Sequence, residues 1–175
     1  MVTEQDVKRY FDINGLVEIN NDIVDVIGSV DMHAAISRIP FQFGKVTDDF
    51  GCSHSELTTL EGSPSKVGGK FSCRSNKLDS LKGSPSSVLL FSCRGNPDLT
   101  SLKDGPDEVK RTFFCDWIKD LPLLCILKYN RIRILNNDTV DDIMQKYVGK
   151  KPLRPAIIQC QRELIDAGYK GNARL

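Results

Sequence analysis

The chain has 175 residues, 40% hydrophobic and 27% charged, with a formal net charge of +1. That length suits one domain, able to bury roughly 70% of its unfolded surface, and the composition is too apolar for wholesale disorder. No run of ~18 uncharged apolar residues is present to span a membrane, and the near-neutral total argues against strong non-specific binding to nucleic acid.

The charge is unevenly spread. Residues 1–65 hold 4 Lys/Arg against 11 Asp/Glu, residues 66–111 hold 9 against 5, and residues 112–175 hold 11 against 7. An acidic start and a basic body make a dipolar molecule, which can orient on a charged partner.

Residues 1–29 read as an N-terminal cap. The first residues, Met1 to Asp6, lack the basic start and apolar run of a secretion signal. Thr3 with Asp6 three residues on is a helix-start signature, with Val7, Tyr10 and Phe11 on one side of a short helix. Ile13 to Ile19 then reads as a turn followed by a strand, and Ile23 to Val30 as another strand.

Residues 30–135 carry a repeat. Apolar pairs with two residues between them recur at Ile36/Ile39, Leu57/Leu60, Leu78/Leu81, Leu99/Leu102 and Leu121/Leu124. A Phe-x-Cys column precedes them at Phe50/Cys52, Phe71/Cys73, Phe91/Cys93 and Phe113/Cys115, with Val30/Met32 one period earlier. Gly62, Gly83 and Gly105 follow, each with a proline close behind, and then Val67, Val88 or Val109. Alternation in Phe-x-Cys sends both side chains to one face of a strand, and the leucines return to the same side. No copy holds ten residues of helical periodicity, so each unit is one short strand plus an irregular return arm. A single unit cannot bury its apolar edge, whereas a stack of about five can.

The unit Phe71-x-Cys73-x-x-Asn76-x-Leu78-x-x-Leu81 resembles the leucine-rich-repeat core. Phe91-x-Cys93-x-x-Asn96 repeats it with one extra residue before Leu99. More narrowly, the segment from Leu57 to Leu78, with Glu61-Gly-Ser-Pro64, Val67-Gly-Gly69 and Phe71-Ser-Cys73, resembles a phrase of small leucine-rich-repeat-like proteins encoded by tailed bacteriophages. The lead-in Ile39 to Val46 and the tail Glu163 to Leu175 are similar too. The resemblance covers most of the chain, departing at Ser55 and Ile118, where the repeat asparagine is missing. It implies a leucine-rich-repeat-like fold and a phage origin, with no shared biochemical activity.

Residues 136–175 read as a C-terminal helical cap. Leu127 to Leu135 alternates enough for a last strand, and Asn136 to Asp138 break the chain. Asp138 is placed to cap a helix over 139–148, with Ile143, Met144 and Tyr147 inward and Gly149 ending it. A second helix is expected over about 153–167, with Ile157, Ile158, Gln161, Leu164 and Ile165 on one stripe and Gly168 stopping it. The competing reading makes this helical hairpin a separate recognition element. The fold class expected overall is α+β: a leucine-rich-repeat-like parallel β-solenoid between two caps.

Chemistry-bearing residues are sparse. Six cysteines without a secretion signal read as reduced thiols. Zinc needs four ligands converging on one point, whereas stacked coils place Cys52, Cys73, Cys93 and Cys115 in a row, so no metal is expected and the column reads as a buried ladder. His33 and His54 lack partners for a catalytic set and read as surface residues. No nucleophile turn occurs, and Val67-Gly68-Gly69-Lys70 lacks the spacing of a phosphate loop. No enzyme activity and no cofactor are expected.

The outward strand positions carry the functional expectation. They read Asp31/His33, Gly51/Ser53, Ser72/Arg74, Ser92/Arg94 and Phe114/Asp116, with Trp117 one further. Arg74 and Arg94 fall one rung apart, ~5 Å on the strand spacing, and repel unless an acid lies opposite. Arginines beside Phe114 and Trp117 have the composition of an interface hot spot. The competing readings are a solvated strand face and, for Trp117, core packing of the fifth coil. The expectation is a binding protein that modulates a host macromolecule, most readily a protein, in the infected cytoplasm. Nucleic-acid binding by the basic body and a structural place in the virion are the alternatives.

Overall fold

In the computed structural model, which describes residues 1–175, each repeat period becomes one turn of a coil. The chain starts with α1 (Glu4–Lys8) and the long strands β1 (Phe11–Asn20) and β2 (Ile23–Met32). Short strands follow in pairs: β3 (Gln42–Val46) and β4 (Phe50–Gly51), β5 (Lys66–Val67) and β6 (Lys70–Ser72), β7 (Ser87–Val88) and β8 (Leu90–Ser92), β9 (Glu108–Val109) and β10 (Phe113–Asp116). After a 3₁₀ turn at Leu124–Lys128 come β11 (Ile132–Leu135), α2 (Asp138–Gln145) and α3 (Leu153–Asp166).

Every coil contributes to two parallel rows. One row is β2–β4–β6–β8–β10–β11, in the register Val30–Phe50–Phe71–Phe91–Phe113–Ile132. The other is β2–β3–β5–β7–β9, with Val26–Val46–Val67 in register at one end and Val88–Val109 at the other. The protein is thus a parallel β-solenoid of about six coils, one more than the sequence columns display. The valine after each Gly-Pro turn does not merely start a return arm. It forms a second strand, because its β-branched side chain fits a pleated, half-buried surface.

Like residues stack on like. The rings of Phe50, Phe71, Phe91 and Phe113 lie 5.4, 5.4 and 5.2 Å apart at angles of 7°, 4° and 17°. Cys52, Cys73, Cys93 and Cys115 are buried beside them, as are the leucine pairs from Leu57 to Leu124. Burying each phenylalanine contributes roughly 2–3 kcal/mol. The asparagines satisfy the corner that follows each Phe-x-Cys strand. Asn76 Nδ2 donates to the Cys52 and Cys73 carbonyls at 2.8 and 3.1 Å, while its Oδ1 accepts from the Leu57 amide at 2.9 Å. Asn96 repeats this on the Cys73 and Cys93 carbonyls and the Leu78 amide.

The N-terminal helix forms as its signature implies: Thr3 and Asp6 make a reciprocal capping box. Those hydrogen bonds from Thr3 hold the Asp6 carboxyl below its ordinary range. The hairpin departs from expectation. Ile13 to Gly15 is continuous strand, and the turn is Asn21-Asp22, both at positive φ (52° and 61°), the conformation of a tight two-residue hairpin. β2 runs through residues 29 and 30, so the cap and the stack share one sheet.

The C-terminal cap also differs in detail. The last strand covers only Ile132–Leu135, because Leu124 to Lys128 winds into a 3₁₀ turn. Asn137, not Asp138, caps α2, its side chain accepting from the Val140 amide at 3.0 Å. In α3 the buried stripe is Ala156, Cys160 and Leu164, while Ile158 and Ile165 are exposed. Spacing by fours puts these three on the side of α3 that meets the 3₁₀ turn and α2, where Cys160 touches Met144. Gly168, at φ 92°, follows the helix end as expected. No helix is long and apolar enough to cross a membrane.

Candidate binding face

Alternation fixes the outer face of the Phe-x-Cys row. With Phe71 and Cys73 inward, Ser72 faces out, and the register continues this row as Asp12–Asp31–Gly51–Ser72–Ser92–Phe114–Arg133. The row is acidic where the stack begins, small and neutral in the middle, and aromatic then basic where it ends. Because the coils stack in chain order, the charge asymmetry along the sequence becomes a charge gradient along the solenoid axis.

The residues singled out from sequence divide into three groups. Arg74 and Arg94 lie one rung apart, as the bonds from the His54 amide to the Arg74 carbonyl and from the Ser75 amide to the Arg94 carbonyl show. Their fates differ. Arg94 turns to Asp116, with Nε 3.3 Å from Oδ1, and Asp116 Oδ2 also accepts from the Gly95 amide at 2.7 Å. Asp116 is the acid that relieves the expected repulsion. Arg74 has no acidic partner and stands exposed.

Ser72 and Ser92 face outward but are only 5% and 4% exposed. Small side chains sit below the level of their neighbours, and Ser72 Oγ lies 2.9 Å from Ser53 Oγ. Phe114 is half-buried in the same row.

Trp117 is engaged by packing within the chain, and His33, though exposed, by polar contacts at the N-terminal end. Trp117 Nε1 donates to Asn172 Oδ1 at 3.2 Å, and its ring meets Tyr169 edge-on at 6.3 Å. Trp117 therefore anchors the C-terminal tail and does not stand beside Arg74. His33 lies at the N-terminal end, its Nε2 3.2 Å from the Arg9 carbonyl and its Nδ1 3.5 Å from Asp12.

The structure adds residues that sequence reasoning left out. Beside Arg74 the face sinks into a groove of about 540 Å³. Asp12, Asn14 and Asp31 of the hairpin line it together with Asp49, Ser53, His54, Lys70 and Arg74 of the next two coils. Asp49 is held by accepting from the Lys70 amide at 2.7 Å. Asp12 and Asn14 join only through the hairpin register. Alternation outward from the buried Phe11 is the one sequence signal that places them there.

Nothing in the groove forms a nucleophile-base pair or a metal cage. No group of three or more His, Cys, Asp or Glu side chains converges on a point where an ion would sit. The thiols of Cys52, Cys73, Cys93 and Cys115 are pushed up from their ordinary value, chiefly by burial, which keeps them protonated and unreactive. No family model, curated protein or solved structure matches the chain.

Proposed function

We propose that the chain is a non-enzymatic binding protein that recognises another protein through the outer face around Arg74. The observation that carries this reading is the groove itself. It is open and polar, with Asp12 and Asp31 at its hairpin end, Lys70 and Arg74 at its β6 end, and the small residues Gly51, Ser53 and Ser72 in its lining. Such a surface admits an extended charged segment closely and fixes its direction. Repeat stacks commonly work through surfaces of this kind. The resemblance of Leu57–Leu78 to small phage-encoded repeat proteins supports a host protein as the target, modulated or blocked inside the infected cell.

Affinity capture from host lysate followed by mass spectrometry identifies the partner. Arg74→Glu is then expected to weaken the purified pair about tenfold or more, as loss of a well-placed interfacial charge does. Unchanged affinity removes this face from the contact.

A second reading has its own support. Lys128, Arg131, Arg133, Lys150, Lys151 and Arg154 are all exposed toward the end of the chain. Nucleic-acid binding there would fall steeply with added salt. Absence of binding to DNA and RNA at low salt removes it.

A further inference from the structure

The two ends of the sheet are finished differently. At the C-terminal end, β11 turns its unpaired backbone groups toward α2, and α2 satisfies them. The Ile134 amide donates to Asp141 Oδ1 at 2.8 Å, and Gln145 Nε2 donates to the Ile132 carbonyl at 2.8 Å. No strand can be added there.

At the N-terminal end nothing plays that part. The Val26 and Gly28 carbonyls and the Val30 amide are bonded to the chain at Thr47, Asp48 and Asp49. Even-numbered residues of β2 therefore face the coils, and its odd-numbered residues bond β1. Their partners in β1 are Asp12, Asn14, Leu16, Glu18 and Asn20. By the same alternation, the amides and carbonyls of Ile13, Gly15, Val17 and Ile19 point away from the sheet, and no other part of the chain bonds them. The edge is long, lacks proline, and carries none of the lysines that usually blunt such edges.

The side chains around this edge state what would suit it. On the inner face, Ile13, Val17 and Ile19 are only half-buried, so the core continues to the edge uncovered. On the outer face, Leu16 stands opposite Ile27, and they are 68% and 51% exposed. Flanking this apolar pair are two carboxylate pairs, Asp12 opposite Asp31 and Glu18 opposite Asp25. Like charges directly opposite are unfavourable, and neither β1 nor β2 contains a Lys or Arg. Arg9 lies two residues before β1, and the Lys45 amide donates to Asp25 Oδ1 at 2.6 Å, but no Lys or Arg side chain forms an ion pair with Asp12, Glu18, Asp25 or Asp31. His33 reaches Asp12 alone, and Lys8 is held by Glu4 at 2.6 Å.

We propose that β1 is a docking edge for an extended, basic segment of a partner protein, which adds to the sheet as one more strand. Backbone groups of Ile13 to Ile19 supply the pairing. Apolar side chains of the added strand cover Ile13, Val17 and Leu16, and its Lys or Arg residues sit against Asp12/Asp31 and Glu18/Asp25, six residues apart along the strand. Strand addition to an open edge is a general mode of peptide recognition. A second copy of the chain is a poorer occupant: antiparallel pairing of β1 about Gly15 sets Asp12 against Glu18 of the other copy. The docking edge shares Asp12, Ile13 and Asp31 with the Arg74 groove, whereas Leu16, Val17, Glu18 and Asp25 lie outside it, so Arg74→Glu and Val17→Pro test the two sites separately.

The test uses a synthetic, end-blocked peptide of sequence Lys-Val-Thr-Val-Thr-Val-Lys, which reads the same in both directions. Its control carries Glu at both ends. The lysine peptide is expected to bind the full chain, and the glutamate peptide about tenfold more weakly or not at all. Bound peptide should slow amide exchange at Ile13, Gly15, Val17 and Ile19 but not at their even-numbered neighbours, which are already bonded. Val17→Pro, which removes an edge amide that bonds nothing in the chain, should abolish binding. Charge reversal by Asp12→Lys with Glu18→Lys should invert the peptide preference, and it reads the proposal independently should the proline variant fail to fold. Equal binding of both peptides, protection elsewhere, or a self-associated dimer dispersed by Val17→Pro would each overturn it.

Discussion

Tyr129 stacks on Phe113 with ring centroids 4.9 Å apart and an angle of 14°, extending by one ring a column that the repeat ends at Phe113. Tyr129 lies in no repeat position. It arrives on the 3₁₀ turn after Leu124–Lys128, and its hydroxyl donates to the Pro106 carbonyl at 2.7 Å. One residue thus caps the aromatic column and ties the last coil to the preceding Gly-Pro turn.

The two roles separate by mutation. Tyr129→Phe keeps the ring and leaves a buried carbonyl unpaired, costing about 1–2 kcal/mol. Tyr129→Ala also opens a cavity at the end of the stack and is expected to cost about 3–5 kcal/mol. Denaturant unfolding of the two variants measures the difference. Equal losses would show that the stacked ring adds nothing beyond the hydroxyl.

The tail performs the same kind of repair for the asparagine ladder. Ile118 stands where the fifth coil lacks its asparagine, and Asn172 comes from the far end of the chain to supply the amide. Its Nδ2 donates to the Ile118 and Leu121 carbonyls at 3.0 and 2.8 Å. Asn172→Ala leaves two carbonyls and the Trp117 indole without partners, so a loss of about 2 kcal/mol or more is expected. Trp117 fluorescence should shift to the red as the tail loosens. An unshifted spectrum with unchanged stability would make the contact incidental.

What the sequence could reveal follows from what repeats. Rows of identical residues announce the coil, because each copy must bury the same edge against its neighbour. Phe50, Phe71, Phe91 and Phe113 were legible for that reason, and so was the outward placing of Arg74 and Arg94. Contacts made once were not. Asn14-Gly15 has turn chemistry, yet the true turn is Asn21-Asp22, since ten paired residues on each side override a local preference. Asn137 and Asp138 are equally good caps on paper, and only the path of the backbone chooses. Asn172 and Tyr129 act across 54 and 23 residues, and no local pattern encodes such a meeting. The groove beside Arg74 shares this origin: part of its lining belongs to the repeat, and part to a hairpin whose register appears only in three dimensions.

Gly68, at the corner between the two strand rows, and Gly51, within β4, differ sharply in what they tolerate. A Cβ at Gly68 would land on the Thr47 carbonyl oxygen of the preceding coil, a backbone atom that cannot move away alone. A Cβ at Gly51 would meet the Asp31 carboxylate, which is exposed and free to rotate. Gly68→Ala is therefore expected to cost about 2 kcal/mol or more through overpacking, and Gly51→Ala under about 1 kcal/mol. Parallel thermal melts decide this. The reverse order would mean that the coils are spaced differently at that corner.

The buried thiols set a ceiling on alkaline stability. Cys52, Cys73, Cys93 and Cys115 are raised above their ordinary value of 9.0, with burial the leading cause in each, and Cys160 is pushed up to about 12. Unfolding returns each thiol to water and to its ordinary value. Below pH 9 both states hold the proton, and the stabilising contribution is fully present. Above pH 9 the unfolded chain loses protons that the folded chain keeps, so stability falls as pH rises, by about 1.4 kcal/mol per pH unit for each such thiol. Chemical unfolding at pH 8, 9 and 10 should give steadily lower midpoints, with the steepest decline in the last interval. Replacing Cys73 and Cys93 by Ala lowers the starting stability but should flatten that decline. At pH 8 a thiol reagent should modify half-buried Cys125 first and reach the column only on unfolding. Rapid labelling of Cys73 in the native protein would show that the rows open far more readily than their packing implies.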